Sequence, residues 1–412
     1  MRLTAVFMVL LASVAAVANP QITEEKLYQQ LMGQVRAGQK ALTKSVKASD
    51  RKLLVDVLWD VQESEAIPAD YSGLLASLRP SDFAPGERLR LNVLRHRMGL
   101  NHSPELARQL SERLSGNAGR VGSRNEALPQ LIVSLREDLH TMGMSDLVMH
   151  AYVTHPVATK AVLTVERPVG DQRTLAQDLW EHEPDLATWS GGRYAEGLRL
   201  YMFCRTQRKF SCLYLMRDRQ HRPVRNSDGT LWTQTSLAAS ARDIPSHQRN
   251  GNTPAGIHLI NGVMPTADQQ TSFGKFRRLI LDFVPASTGE ARQKELLPAS
   301  SKEASWWQPN VVARNVGRNL FRIHGTGKLN LEPTAPWFPF MRTSGCIASR
   351  ENTYGGVEYR DQQHLLNTAM SAMALTPAYE NETAIKGVLF VIEIDDEAKA
   401  VTLDDLREMG IR

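Results

Sequence analysis

A chain of 412 residues, 42% hydrophobic and 23% charged, has a globular composition and the length of two or three domains, which excludes a disordered or fibrous protein. The formal net charge is +5, or +4 without Arg2, and the basic residues are scattered. Nucleic-acid binding would need them gathered into a patch, and none is visible; a modestly cationic chain suits an anionic envelope polymer better.

The first 18 residues read as an export signal. Arg2 supplies the positive start, Ala5 to Val14 the apolar segment, and Ala16-Val17-Ala18 a small-residue cleavage site before Asn19. This run is short for a membrane span and Pro20 follows at once, so a retained anchor is the lesser alternative. No cysteine follows the cleavage site to carry a lipid, and no later stretch reaches the ~18 apolar residues of a membrane helix. The expectation is a protein exported to the periplasm or cell envelope, with no stable membrane span.

Residues 19–196 read as an all-helical accessory domain. Glu24 to Lys47 is one amphipathic candidate, and a second starts at Ser49-Asp50 with Leu53, Leu54, Val57, Leu58 and Val61 on one face. A third has Ser103 as cap, Pro104 as first helical residue, Leu106, Leu110 and Leu114 as its stripe, and Gly116 as its stop. After a linker from Gly116 to Arg124, Leu128, Leu131, Ile132, Leu135 and Leu139 repeat the pattern. There is no fixed period of the kind a repeat array shows. His182 between Glu181 and Glu183 lacks the spacing of a metal site, and these stripes read as core.

From about Leu198 the texture turns extended. Cys212 to Met216 is a short apolar strand, followed by an Asn226-Ser227-Asp228-Gly229 turn. Trp232 to Ala241 is a second extended candidate, and Asn252-Thr253-Pro254-Ala255-Gly256 runs into a strand at Ile257. Leu279 to Val284, interrupted by Asp282, reads as a buried strand. A helix is expected over Asp361 to Met373, a closing strand over Val388 to Ile394, and a capped C-terminal helix from Thr402, within 396–412, docked on the outside. The segment from about 285 to 319 is long, polar and contains Trp306-Trp307. It reads as an insertion whose tryptophans either stack on sugar rings, cover a cleft or, the plainer reading, pack the loop onto the body. The fold class is therefore α + β: an N-terminal all-helical domain, then a mainly-β domain over 197–395 with inserted helices.

Three cysteines punctuate this half. Cys204 and Cys212 lie equally far from Arg208, so a hairpin turning there would set them opposite each other, and an oxidising compartment would join them. That leaves Cys346 as the odd, reactive thiol. It sits in Thr343-Ser344-Gly345-Cys346-Ile347, downstream of Arg322-Ile323-His324-Gly325. A cysteine nucleophile needs a base in hydrogen-bond reach, a group that orients that base, and donors for a tetrahedral oxyanion. His324 is the expected base and the Gly325 carbonyl its orienting group. The backbone N–H groups of Gly345 and Cys346 are the expected oxyanion donors.

His324 precedes Cys346, the reverse of papain-like peptidases. Sortases share the order but place an arginine shortly after the cysteine, on a different strand motif. The two motifs together resemble the L,D-transpeptidase catalytic domain, YkuD-like: His-Gly, a gap of this size, then Ser/Thr-x-Gly-Cys and an apolar residue. Thr253-Pro254-Ala255-Gly256 matches that family's upstream Thr-Pro-x-Gly turn, and the resemblance spans about 205–395. Three features depart from the family: Ser344 stands where histidine is common, Ala348 where arginine or asparagine is common, and the segment from Ser287 to Asn319 is longer than in minimal members. Arg350 or Asn352 would then substitute, with Thr343 and Ser344 also contacting substrate. The resemblance implies a transferase acting on peptidoglycan stem peptides, which releases terminal D-alanine through a Cys346 thioester, without metal or cofactor. The acyl acceptor would be a second stem or an envelope protein, giving a role in cell-wall biogenesis and cell shape. An L,D-carboxypeptidase or endopeptidase on the same scaffold is one alternative, and a non-catalytic wall-binding protein another.

Overall fold

The computed structural model describes residues 51–62, 71–116, 127–165, 172–182, 194–285 and 304–412, with isolated positions between them. The expected export signal, the Glu24–Lys47 helix and most of the Gly116–Arg124 linker lie outside the described residues. The chain is an α and β mixture, helical in its N-terminal part with a large sheet after it, and it divides between His102 and Ser103 into two compact units.

In the first unit, helices α1 (Arg51–Gln62), α2 (Tyr71–Ser77) and α3 (Pro85–Arg97) bury a shared core. Leu54, Val57, Leu58 and Val61 are buried at their helical spacing. The core also carries a buried ion pair, Asp56 of α1 with Arg90 of α3. The Tyr71 hydroxyl donates to the Leu58 carbonyl at 2.5 Å, tying α2 to α1.

Among its described residues the second unit opens with six helices: α4 (Glu105–Gly116), α5 (Ala127–Ser134), α6 (Arg136–Thr141), α7 (Ser145–Thr154), α8 (Pro156–Val165) and α9 (Gln172–Glu181). Leu106, Leu110 and Leu114 form the buried stripe of α4. The single stripe read from Leu128 to Leu139 is two helices, because Leu135 leaves helical geometry (φ −102°, ψ 16°) while its N–H still bonds back to Leu131 and Ile132. Helix α9 packs directly on the sheet, the Trp180 ring meeting Tyr201 edge-on at 5.0 Å, so helix and sheet share one core.

Among the described residues ten strands follow: β1 (Leu198–Arg205), β2 (Cys212–Arg217), β3 (Gln234–Ser236), β4 (Gly256–Val263), β5 (Leu279–Phe283), β6 (Phe321–His324), β7 (Ile347–Ala348), β8 (Thr353–Tyr354), β9 (Val357–Glu358) and β10 (Lys386–Asp395). Eight form one mixed sheet in the order β3-β2-β1-β10-β4-β5-β6-β7, while β8 and β9 make a small hairpin. Strands β1 and β10, parallel neighbours at its centre, are buried on both faces. Tyr201, Phe203, Val388, Phe390 and Ile392 face one core, and Leu200, Met202, Leu389 and Val391 the other. A helix α12 (Asp361–Ala372) covers the second face with Leu365, Leu366, Ala369 and Met370. The turn between β1 and β2 brings Cys204 and Cys212 into a disulfide, their Cα atoms 4.4 Å apart.

The two edges of this sheet meet. Beyond β3 the chain reaches β7, where Leu237 and Ala348 exchange both backbone hydrogen bonds (3.1 and 2.8 Å) and Ser240 bridges Thr343. The β6–β7 edge is thereby covered rather than left as an open row of donors and acceptors. The Trp232–Ala241 stretch is extended as expected, but only Gln234–Ser236 is regular strand, the rest serving this closure.

Among the described residues two further helices interrupt the strands, α10 (Gln270–Phe273) and α11 (Gln308–Asn315). The second lies inside the segment read as a loop, and Trp306 and Trp307 just before it are both buried. Trp306 donates its indole N–H to the Val391 carbonyl at 2.7 Å and stacks near Phe390, so the pair packs the segment onto the sheet and does not cover a cleft. The last helix, α13 (Leu403–Glu408), is capped by Thr402, whose hydroxyl accepts from the Asp405 N–H while the Asp405 carboxylate accepts from the Thr402 N–H. Its Leu406, with Met409 and Ile411, is buried in the same core as Trp180.

Truncating Trp306 to Ala removes a buried indole and its hydrogen bond. The expected cost is about 3–5 kcal/mol of unfolding free energy, measured by chemical denaturation. A tryptophan that served only as a cover would leave that value within about 0.5 kcal/mol of wild type.

Candidate active site

Strands β6 and β7 run parallel in the register Ile323 to Ile347 and His324 to Ala348. Both isoleucines enter the core under α12. Side chains alternate along a strand, so His324 points away from the Ile323 face, as Ala348 opposite it does. Cys346 ends the bend that leads into β7, so the strand pairing sets the end of β6 beside the cysteine turn, 22 positions away in sequence.

His324 is buried, with its Nδ1 2.5 Å from the Gly325 carbonyl oxygen. A carbonyl can only accept, so the proton on this neutral ring sits on Nδ1 and the Nε2 lone pair is left to act as base. Burial pulls the imidazolium pKa down to about 4, the Gly325 bond opposes the shift, and the positive charges of Arg278 and Arg322 add to it. Near neutral pH the ring is therefore in its proton-accepting form. The edge of Phe273, from α10, packs against it at 5.2 Å.

Cys346 is half-buried and lies outside the disulfide. One hydrogen bond from its Sγ goes to the Leu320 carbonyl at 3.7 Å. The turn that presents it is held by Thr343, whose hydroxyl donates to the Cys346 carbonyl at 2.6 Å and accepts the Gly345 N–H at 3.1 Å. The Gly345 N–H, expected to face an oxyanion, is thus engaged by Thr343. Ser344 is exposed at the tip. Gly345 has φ +107°, and a Cβ there would run into the Arg318 guanidinium and the Gly251 carbonyl, so no other residue fits.

Around this turn the structure adds Arg318, Gln362 and Ser349, and it brings in the Thr-Pro-Ala-Gly motif. Arg318 donates to the carbonyls of Ser246, Gly251 and Asn252, fastening the loop under Gly345. Thr253, in the Thr-Pro-Ala-Gly turn, donates its hydroxyl to the Gly345 carbonyl at 2.9 Å, so the upstream motif touches the cysteine loop. Gln362 of α12 donates to the Ile323 carbonyl and accepts from Ser349, and Ser349 donates its N–H to the His324 carbonyl. Thr253 apart, none of these carries a sequence signal beyond its ordinary residue type, since each acts by hydrogen bonds to groups far away in the chain.

Arg350, expected to contact substrate, has its guanidinium 2.5 Å from the Asp361 carboxylate and lies over the Tyr359 ring at 4.2 Å. Asn352 gives both amide hydrogens to the carbonyls of Thr326 and Lys328, closing the loop after Gly325. Both brace the loops flanking the dyad. Among the described residues no group of three or more His, Cys, Asp and Glu is placed to hold a metal ion.

Substituting Gly345 by Ala forces a Cβ into Arg318 at a left-handed position. We expect a loss of about 1–3 kcal/mol in unfolding free energy, or a displaced turn with slower alkylation of Cys346. Unchanged values of both in denaturation and iodoacetamide assays would contradict the close packing described above.

No family model, curated protein or solved structure matches this chain.

Proposed function

We propose that this protein is an L,D-transpeptidase of the YkuD-like kind, exported to the cell envelope, where it cross-links peptidoglycan stems. The observation that carries the proposal is a neutral, buried His324, tethered through Nδ1 to the Gly325 carbonyl at the end of β6, with the Cys346 turn leading into the parallel strand paired to it. The motif likeness described above, and the contact of Thr253 with the cysteine loop, support the same reading.

In this mechanism Nε2 of His324 takes the Cys346 proton, and the thiolate attacks the carbonyl carbon of the third stem residue. The tetrahedral oxyanion is stabilised by backbone N–H groups of the turn, with that of Cys346 the leading donor because Thr343 engages that of Gly345. The C–N bond to the terminal D-alanine breaks, and its amine leaves with the proton from the imidazolium. A thioester remains. An amine from a second stem attacks it, His324 accepts that proton, and the new amide forms as Cys346 regains its thiol. The product is a 3→3 cross-linked dimer.

The test feeds tetrapeptide muropeptides to purified protein and follows the products by chromatography and mass spectrometry. We expect released D-alanine and cross-linked dimers, with Cys346→Ala lowering turnover by at least about 10³-fold and His324→Gln by about 10²- to 10⁴-fold. Tripeptide monomers with no dimers would refute transpeptidation in favour of hydrolysis. Full turnover by Cys346→Ala would refute the nucleophile.

A further inference from the structure

Beside the dyad sits a carboxyl group that the mechanism above does not use. Glu351 follows Cys346 by five residues and is 3% exposed. Its carboxyl lies where a side chain on Gly325 would otherwise be: a Cβ built on Gly325 would overlap the Glu351 carboxyl carbon, and one on Gly274 would meet the same group. The backbone N–H of Lys275 donates to its Oε2 at 2.5 Å. Its Oε1 is buried and has no hydrogen-bond partner among the described residues. Two glycines thus leave a slot that this carboxyl fills, and one of them is the residue whose carbonyl holds His324.

We propose that Glu351 is the positioning residue of the His324–Gly325 peptide, and that it acts as the neutral carboxylic acid. The inference rests on the dyad assigned above. An ionised carboxylate with a buried, unpartnered oxygen is far costlier than a neutral acid in the same slot. Relief would come by admitting water to Oε1, and that means moving the segments around Gly274 or Gly325. A displaced Gly325 carbonyl no longer fixes the Nδ1 proton of His324.

The charges facing Glu351 from its surroundings do not remove this cost. Burial favours the neutral acid; the backbone N–H groups of Lys275 and Phe276, from the segment after α10, and the Lys275 charge favour ionisation, while Asp361 at the start of α12 opposes it. Asp361 is itself ion-paired with Arg350. From β6 comes His324, neutral near pH 7, with the charges of Arg278 and Arg322 acting on its ring. Burial dominates, and the Glu351 carboxyl holds its proton up to about 7, against an ordinary value of 4.5. His324 titrates near 4, so between pH 5 and 9 a change at its ring reports Glu351 rather than itself.

The experiment reads the Nδ1–H proton of His324 by NMR, identified by its loss in His324→Gln. In wild type we expect a downfield, exchange-protected resonance below about pH 7 that is lost as pH rises above it. In Glu351→Gln, which keeps the shape without the charge, it should persist to pH 9. In Glu351→Ala it should be absent throughout, with kcat on tetrapeptide muropeptides down about 10- to 100-fold and KM little changed. A wild-type resonance that is constant from pH 5 to 9, or one retained in Glu351→Ala, would overturn the proposal. Should either variant fail to fold, the Glu351 Cδ shift in ¹³C-labelled wild type decides: a midpoint near 7 supports the proposal and one near 4.5 overturns it. Because the resonance needs no substrate, a protein that shows the predicted titration yet leaves muropeptides untouched sinks the proposed function alone. Turnover with a constant resonance sinks only the role of Glu351.

Discussion

The hydrogen bond between His324 Nδ1 and the Gly325 carbonyl is the constraint on which the candidate site depends. It leaves Nε2 as the nitrogen that can accept a proton, and it needs no carboxylate partner to do so. A backbone carbonyl is a weaker partner for an imidazolium than a carboxylate would be, and burial biases the ring further towards its neutral form. Near neutral pH the ring then rests as an uncharged imidazole. Such a base is useful only if its peptide cannot turn, and that rigidity comes from the surrounding loops.

The scaffold supplies it by layering small polar ties on a two-sided core. Strands β1 and β10 bury both faces and fix the sheet, and β6 and β7 extend it to an edge where the dyad lies. The edge is covered by the segment after β3, so the cysteine turn is held from one side by Ala239 and Ala241 and from the other by Thr253 and Arg318. Behind it, Gln362 and Ser349 fasten α12 to the end of β6. Most of these contacts join a side chain to a distant backbone atom. They orient the turn rather than add greatly to stability, since each such bond is worth only ~1 kcal/mol net.

Much of this was legible in the residues. Helical spacing located α1 and α4, alternation and apolar runs located β2, β4, β5 and β10, and the Thr402 cap located α13. His324 and Cys346 stood out because their neighbours are glycines whose lack of a side chain has a chemical reason. Other elements were hidden for physical causes. Strand β1 is interrupted by Arg199, a buried residue whose guanidinium donates to nearby carbonyls, so its polarity concealed a central strand. Helix α11 starts at Gln308-Pro309 inside a polar stretch, and its buried side includes Asn310. Trp306 and Trp307 were ambiguous because aromatic pairs suit both a cleft and a core. Arg318 and Glu351 could not be read at all, since an isolated charged residue normally signals a solvated surface. Their roles arise from pockets left by Gly345 and Gly325, which only the folded chain brings to them.

The proposed function requires Cys346 to carry an acyl group during turnover. Acid quenching of the enzyme with a tetrapeptide muropeptide, followed by peptide mapping in a mass spectrometer, reads this directly. The account predicts a thioester on the peptide containing Cys346, with the mass of the substrate less its D-alanine, and its absence in Cys346→Ala. D-alanine release with the acyl group on another residue, or its continued release by Cys346→Ala, would contradict it.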